Sequence, residues 1–219
     1  MAYEDVLARS GFFSDVPLPQ LQEISAVGSN RHLVRGDVLF LGGDVADRLY
    51  VVLSGRIAMS NRSIDGRESV VALMEAGDLF GEMPLLDDGN RSTDARALES
   101  TRVFEIPYGP VRAMFDCEPT LLWGVVRMLS QRLRSTDEAL ADAMFLDVTG
   151  RTAKRLLELS AGADEFVLPI TQEELAGMVG ASRERVNKAI ASFIRLGWLD
   201  QNERRYRIVM RDRLTQRAR

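Results

Sequence analysis

Thr171-Gln172-Glu173-Glu174-Leu175-Ala176-Gly177-Met178-Val179-Gly180-Ala181-Ser182-Arg183-Glu184-Arg185-Val186-Asn187-Lys188 spells two helix starts separated by one tight turn. Thr171 and Glu174 stand at the N-cap and N3 spacing of a capping box, in which each side chain satisfies the other residue's free backbone N–H. Ile170 and Leu175 take the flanking positions where a hydrophobic staple closes. The pattern predicts a first helix to about Val179 and a turn at Gly180-Ala181. Ser182 then caps a second helix that runs through Leu196 and is stopped by Gly197. A short helix, a tight turn and a longer helix make a helix-turn-helix.

The second helix is amphipathic. Val186, Ala189, Ile190 and Phe193 recur at the spacing of one buried stripe. Glu184, Asn187, Lys188 and Ala191 lie opposite, with Arg183 and Arg185 near the N-terminal tip. An ordinary solvated face explains such a pattern in a lone helix. Here a wing-like stretch follows, Glu203-Arg204-Arg205-Tyr206-Arg207-Ile208-Val209, whose arginines suit phosphate contacts that position without specifying sequence.

Working outward, the charge is uneven. The whole chain of 219 residues has a formal net charge of −4. The segment from Leu146 onward is net positive and the remainder net negative. That asymmetry suggests two jobs on one chain, with chance variation of surface charge as the alternative. Composition is ordinary and globular, 46% hydrophobic and 27% charged. One cysteine, Cys117, excludes a disulfide framework within the chain and a cysteine-rich cluster. One histidine, His32, excludes a multi-histidine zinc site, and both residues are read as structural. No apolar run approaches the roughly 18–20 residues that span a bilayer, and residues 1–11 lack a signal-peptide pattern. The expected location is the cytoplasm.

From Val34 to Ile106, short apolar runs alternate with glycine corners. Val38–Leu41, Leu49–Leu53, Ile57–Met59 and Val70–Met74 are strand-length pieces. Corners fall at residues 35–37, 42–44, 54–56, 65–67 and 76–78. That rhythm predicts a β sandwich or jelly roll. A jelly roll can be a binding pocket, a lectin or a cupin enzyme, and a cupin would need histidines this chain lacks.

Leu79-Phe80-Gly81-Glu82-Met83-Pro84-Leu85-Leu86 followed by Asn90-Arg91-Ser92-Thr93 carries more chemistry. Gly81 permits close backbone approach, and Pro84 suits the first turn of a helix whose free N–H groups favour an anion. Arg91 offers a planar fork for a phosphate, Ser92 and Thr93 add hydroxyls, and Glu82 accepts from a sugar hydroxyl. A surface ion pair between Glu82 and Arg91 is the plainer alternative. The stretch resembles the phosphate-binding cassette of cyclic-nucleotide-binding domains in the CRP/FNR family of bacterial regulators. That resemblance implies that Gly81, Arg91, Ser92 and Thr93 hold the cyclic phosphate, that Glu82 holds the ribose 2′-hydroxyl, and that Met83 belongs to the same ligand-binding set. Asp47–Gly55 is similar to the same family. Asp94 departs from it, since a carboxylate turned inward would weaken anion binding.

Between Pro119, read as a helix start, and Phe145, helix formers dominate. Leu122, Val126, Leu129, Leu133, Thr136, Leu140 and Ala143 form an unbroken a/d seam over about three heptads, which predicts a coiled-coil partner. The simplest partner is a second copy of the chain. Thr136 is polar on this seam. Its hydroxyl either bonds a carbonyl one turn earlier or meets a ligand. The family resemblance implies contact with an adenine amino group, completed by the next residue of the partner chain, here Asp137. A carboxylate accepts hydrogen bonds only, which suits adenine N6 and opposes guanine O6. Residues 145–151 resemble the family's hinge and first DNA-domain helix.

Ala181–Lys188 resembles the recognition helix of the cAMP receptor proteins, particularly an actinobacterial branch. The resemblance implies that Arg183 reads a guanine, Glu184 a cytosine N4 and Lys188 a further guanine, in a G-T-G-A-like half-site of double-stranded DNA. Arg185 adds a phosphate contact or a changed preference. Thr171, Ser182, Asn187, Arg204 and Arg205 complete the expected DNA-facing set. RNA polymerase is an implied partner. The expected architecture is α+β: a cyclic-nucleotide-binding jelly roll over residues 1–115, a dimerisation helix over 116–145 and a winged helix-turn-helix over 146–219. The expected function is a non-enzymatic, homodimeric, sequence-specific regulator controlled by cAMP at the junction of barrel and dimer helix. The alternative is a constitutive or other-ligand-responsive DNA-binding or nucleoid-architectural protein with an altered pocket.

Overall fold

The computed structural model describes residues 3–62 and 68–219. The corner expected at residues 65–67 lies outside the described residues. Helices α1 (Tyr3–Arg9) and α2 (Leu18–Val27) precede strands β1 (Ser29–Leu33), β2 (Val38–Phe40), β3 (Arg48–Ser54), β4 (Ile57–Arg62), β5 (Glu68–Met74) and β6 (Leu79–Phe80). Next come α3 (Met83–Asp87), β7 (Asp94–Ala97), β8 (Thr101–Pro107), α4 (Tyr108–Cys117) and α5 (Leu122–Phe145). The chain continues with α6 (Val148–Leu159), β9 (Glu165–Val167), α7 (Gln172–Val179), α8 (Arg183–Arg195), β10 (Leu199–Asn202), β11 (Arg205–Ile208) and α9 (Arg211–Arg217). The residues group into two compact units whose boundary falls between Arg134 and Ser135, inside α5, with residues 68–70 counted in the second unit.

In the first unit two four-stranded sheets, ordered β1-β8-β3-β6 and β2-β7-β4-β5, form the jelly roll. The near-continuous apolar run of β3 has a physical cause: both faces of its sheet are covered. Tyr50 and Val52 point inward with Phe40, Ile57, Phe80, Ala95 and Val103. Leu49 and Val51 point the other way, against Leu7, Phe12, Phe13, Ile24, Val111 and Phe115. Each such side chain contributes about 1.5–3 kcal/mol relative to an exposed one. Among the corners, Gly55 has φ +82°, and a Cβ there would lie 2.5 Å from the Ser100 carbonyl oxygen. A side chain would push the start of β8 away from the turn that joins β3 to β4.

Pro119 opens a single 3-10 turn, Pro119–Leu121, and α5 proper begins at Leu122. Two stripes run along the first turns of α5. Leu121, Val125 and Met128 are buried in the barrel-side core. Val126, Leu129, Leu133 and, further along, Leu140 are exposed. From Val126 onward the seam read from the sequence is the outward stripe, whereas its first residue, Leu122, packs against the barrel-side core.

The second unit is a winged helix-turn-helix. The capping box at Thr171 and Glu174 is formed with both bonds in place, and Gly180 ends α7 in the left-handed conformation. Ser182 caps α8 by accepting from the Arg185 N–H, and Val186, Ala189, Ile190 and Phe193 are buried as the spacing predicts. α8 ends one residue earlier than expected, with Leu196 as its C-cap. Strands β10-β11-β9 make the small antiparallel sheet, with Glu203 at the tip of the wing at φ +54°.

Candidate ligand pocket and DNA-reading surface

The cassette occupies the end of β6, the short α3 and the entry to β7. Gly81 has φ +76°, and a Cβ on it would sit 2.6 Å from Arg91 Nη1. Its missing side chain is what allows the guanidinium in. Arg91 is 5% exposed. Its Nη1 donates to the Gly81 carbonyl at 2.7 Å and to the Tyr108 hydroxyl at 3.1 Å. Its Nη2 donates to the Arg48 carbonyl at 2.7 Å. The cation lies over the Phe40 ring, 4.1 Å from its centroid, with Tyr50 at 5.4 Å. Stacking of this kind holds a guanidinium flat and contributes more when it is desolvated. A guanidinium has five N–H donors. Among the described residues, Nε–H and one Nη2–H of Arg91 remain for an incoming anion.

Glu82 is 1% exposed. Its Oε1 is paired with Arg132 Nη1, while Arg132 Nη2 donates to the Leu79 carbonyl at 2.7 Å. The plainer alternative, an ion pair between Glu82 and Arg91, is not what the structure forms. Removing Arg132 would leave a buried carboxylate without its cation, which is strongly unfavourable. Sequence reasoning misses Arg132, although it continues the 121-125-128 inner stripe at helical spacing. That stripe is the available signal.

Ser92 is exposed, its Oγ 3.7 Å from Met83 Sδ, and Thr93 is half-buried. Asp94 Oδ1 accepts from the Gly42 N–H at 2.8 Å, which ties its carboxylate to the neighbouring corner. Burial pushes the Tyr50 and Tyr108 phenols up, the latter to about 12, so both stay protonated near neutrality. The structure thus brings Gly81, Glu82 and Arg91 together and adds Tyr108 and Arg132 to them.

In the second unit, Thr136 and Asp137 are exposed on α5. Asp142 of α5 pairs with Lys154 of α6, and Arg151 donates to the Leu146 and Val179 carbonyls. Asp147 caps α6 by accepting from the Gly150 N–H at 2.8 Å and pairs with Arg217 of α9. These contacts lower the Asp147 carboxyl below its usual range, the Gly150 N–H most and then Arg217, against a desolvation that raises it.

Arg183, Glu184, Arg185 and Lys188 are all exposed on α8, and Asn187 is half-buried. Glu184 and Lys188 pair with each other at 2.8 Å, and the hydrogen bond from Lys188 lowers the Glu184 carboxyl. Both must exchange this pair for base edges if they read DNA. On the wing, Arg204 donates to the Leu168 carbonyl at 3.0 Å, and Arg207 pairs with Asp200. Arg205 is exposed. Thr171 is half-buried and its hydroxyl caps α7. Among the described residues, no group of three or more His, Cys, Asp or Glu side chains is placed to hold a metal ion, and no helix is long and apolar enough to cross a membrane.

Residues 30–117 match the family described as the cyclic nucleotide-binding domain, and residues 150–217 match the Crp-like helix-turn-helix domain. A CRP-like cAMP-activated global transcriptional regulator of Mycobacterium tuberculosis is 35% identical over 223 residues, covering 99% of this chain and 100% of the relative. The cAMP-activated global transcriptional regulator Vfr of Pseudomonas aeruginosa is 30% identical over 185 residues, covering 80% of this chain and 86% of its own. Among solved structures, the c-di-GMP-responsive global regulator CLP of Xanthomonas campestris matches with a TM-score of 0.76 at 26% identity, over 88% of this chain and 99% of its own. A CRP/FNR-family transcriptional regulator of Thermus thermophilus matches with a TM-score of 0.71 at 27% identity, over 87% of this chain and 98% of its own.

Proposed function

The chain belongs to the CRP/FNR family of DNA-binding transcriptional regulators, with a cyclic-nucleotide-binding domain and a Crp-like helix-turn-helix, and from that premise we propose that it is a cytoplasmic homodimer controlled by cAMP. It acts as a regulator and not as an enzyme. The observation that carries the ligand reading is the seat of Arg91. A buried guanidinium sits beside a glycine with no Cβ, keeps two N–H donors for an anion, and has the carboxylate of Glu82 next to that glycine in sequence. In this reading Arg91, with Ser92 and Thr93, receives the cyclic phosphate. Glu82 takes the ribose hydroxyl, and Arg132 keeps that carboxylate ionised and aimed. Asp137 accepts hydrogen bonds only, so beside Thr136 it favours adenine over guanine.

The dimer reading rests on the exposed stripe of Val126, Leu129, Leu133 and Leu140 along α5. Two such helices pair through a heptad seam in a two-fold dimer. The two reading heads then address half-sites about one helical turn apart, roughly 34–36 Å. Arg183, Glu184 and Lys188 supply base contacts in G-T-G-A-like half-sites, with Arg185, Asn187, Arg205 and the caps at Thr171 and Ser182 positioning the helix. The ligand acts by stabilising the dimer geometry that fits successive major grooves, a shift between pre-existing populations. RNA polymerase is the partner such a regulator engages at promoters.

A second reading, a constitutive or other-ligand-responsive DNA-binding or architectural protein, is favoured by Asp137 and by the internal pairing of Glu82 with Arg132. Isothermal titration of cAMP, with cGMP as control, into nucleotide-free protein separates the two. Saturable binding at one cAMP per chain with weaker cGMP is the expected result. No heat and no competition at millimolar cAMP overturns the cAMP reading and leaves the DNA-binding assignment in place.

A further inference from the structure

We infer that Tyr108 is a positioning residue for the anion-binding guanidinium of Arg91, an inference that rests on the cAMP reading of the same pocket. Tyr108 is the first residue of α4 and follows directly on β8. Its backbone N–H donates to the Asp47 carbonyl at 2.8 Å, and Pro107 pairs with Arg48 in the sheet register. The start of α4 is therefore fixed to the strand whose Arg48 carbonyl accepts Arg91 Nη2.

The Tyr108 hydroxyl does two things at once. It donates to the Gly81 carbonyl and accepts from Arg91 Nη1. Arg91 Nη1 also donates to that carbonyl, so the three groups close a ring of hydrogen bonds. With Nη1 bonded to both oxygens and the plane stacked over Phe40, the guanidinium is held against rotation, and its remaining donors keep one direction. The Gly81 carbonyl, held by two donors, fixes the peptide plane to Glu82, whose N–H points to the opposite side of that trans bond. One phenol thus orients both the cation and the backbone of the cassette. A phenol is protonated across the physiological range, and burial raises this one further, to about 12, so the donor is always present. The apolar packing around Gly81 and Arg91 does not need the hydroxyl, so removing that one oxygen changes direction and not fold.

Tyr108→Phe in the full chain tests this. The expected result is cAMP affinity weakened about tenfold by titration calorimetry, the effect of losing one charge-assisted hydrogen bond. The melting midpoint without nucleotide falls by only a few degrees, the effect of one lost internal hydrogen bond. In an Arg91→Lys background, which keeps the charge but not the fork, the same substitution costs no further affinity. A dissociation constant within twofold of wild type, or an equal loss in both backgrounds, overturns the positioning role. A wild-type chain that binds no cAMP removes the nucleotide reading and this inference with it, and only that outcome removes both.

Discussion

Replacing Asp147 separates two contributions that meet at the start of the DNA-binding unit. Its carboxylate accepts from the Gly150 N–H at 2.8 Å as the N-cap of α6, and it pairs with Arg217 of α9, 70 residues away in sequence. Asp147→Ala removes both. Loss of an N-cap acceptor costs about 1 kcal/mol. The ion pair is half-exposed, at 33% and 63% for the two side chains, so solvent screening limits it to about 0.5 kcal/mol. The sum is about 1.5 kcal/mol. Asp147→Asn keeps a good cap and loses only the charge, so it costs about 0.5 kcal/mol. Arg217→Ala matches the Asn variant, because both delete the same pair.

The assay needs a probe of the second unit alone. Trp123 is exposed on α5 and Trp198 stacks on Phe193 at 5.9 Å, so a Trp123→Phe background reports on Trp198. With a urea m-value of about 1 kcal/mol/M for so small a unit, Asp147→Ala shifts the midpoint down by about 1.5 M at pH 7. The Asp147 carboxyl is lowered in the folded state. Its contribution is therefore complete above the ordinary carboxylate range and fades as pH falls through the folded value. The gap between wild type and Asp147→Asn is full above the ordinary carboxylate value of 3.8 and closes as pH falls below it through the lower folded value. Equal midpoints for wild type and Asp147→Ala at pH 7 refute the cap. An Asn variant as weak as the Ala variant shows that the charge, and not the cap, holds α6.

Three further outcomes follow from the same residues. Arg183→Ala costs roughly 1–3 kcal/mol on the preferred operator and relaxes one base position; equal loss on specific and random duplexes in an electrophoretic shift assay sinks the assignment. Leu133→Asp, on the exposed stripe, converts the dimer to monomer in sedimentation analysis while the barrel stays folded, and a persistent dimer places the interface elsewhere. Phe193→Ala empties the fully buried centre of the second unit and costs about 3–5 kcal/mol, seen as early loss of the Trp198 signal on heating; an unchanged transition means the stripe of α8 is not its core.

What is legible in the sequence is local. The capping box at Thr171, the cap at Ser182, the glycine stop at Gly180 and the buried stripe of α8 depend on groups close together along the chain. Backbone geometry alone then decides them. The outward heptad stripe of α5 and the strand rhythm of the barrel are periodic signals of the same kind. The pairing of Glu82 is not legible, because its partner Arg132 lies 50 residues away. Only the packing of Val125 and Met128 into the barrel-side core turns Arg132 toward the cassette. In the sequence its one mark is its place on the 121-125-128 stripe, which does not name Glu82 as its partner. Tyr108 and Arg217 are hidden for the same reason. Tyr108 meets Arg91 because β3 and β8 pair with Arg48 opposite Pro107, and Arg217 meets Asp147 because α9 packs on α6. A side chain's type and its immediate neighbours set what it is able to do. Which donor faces which acceptor across tens of residues is set by strand register and helix packing, and these exist only once the hydrophobic cores have closed.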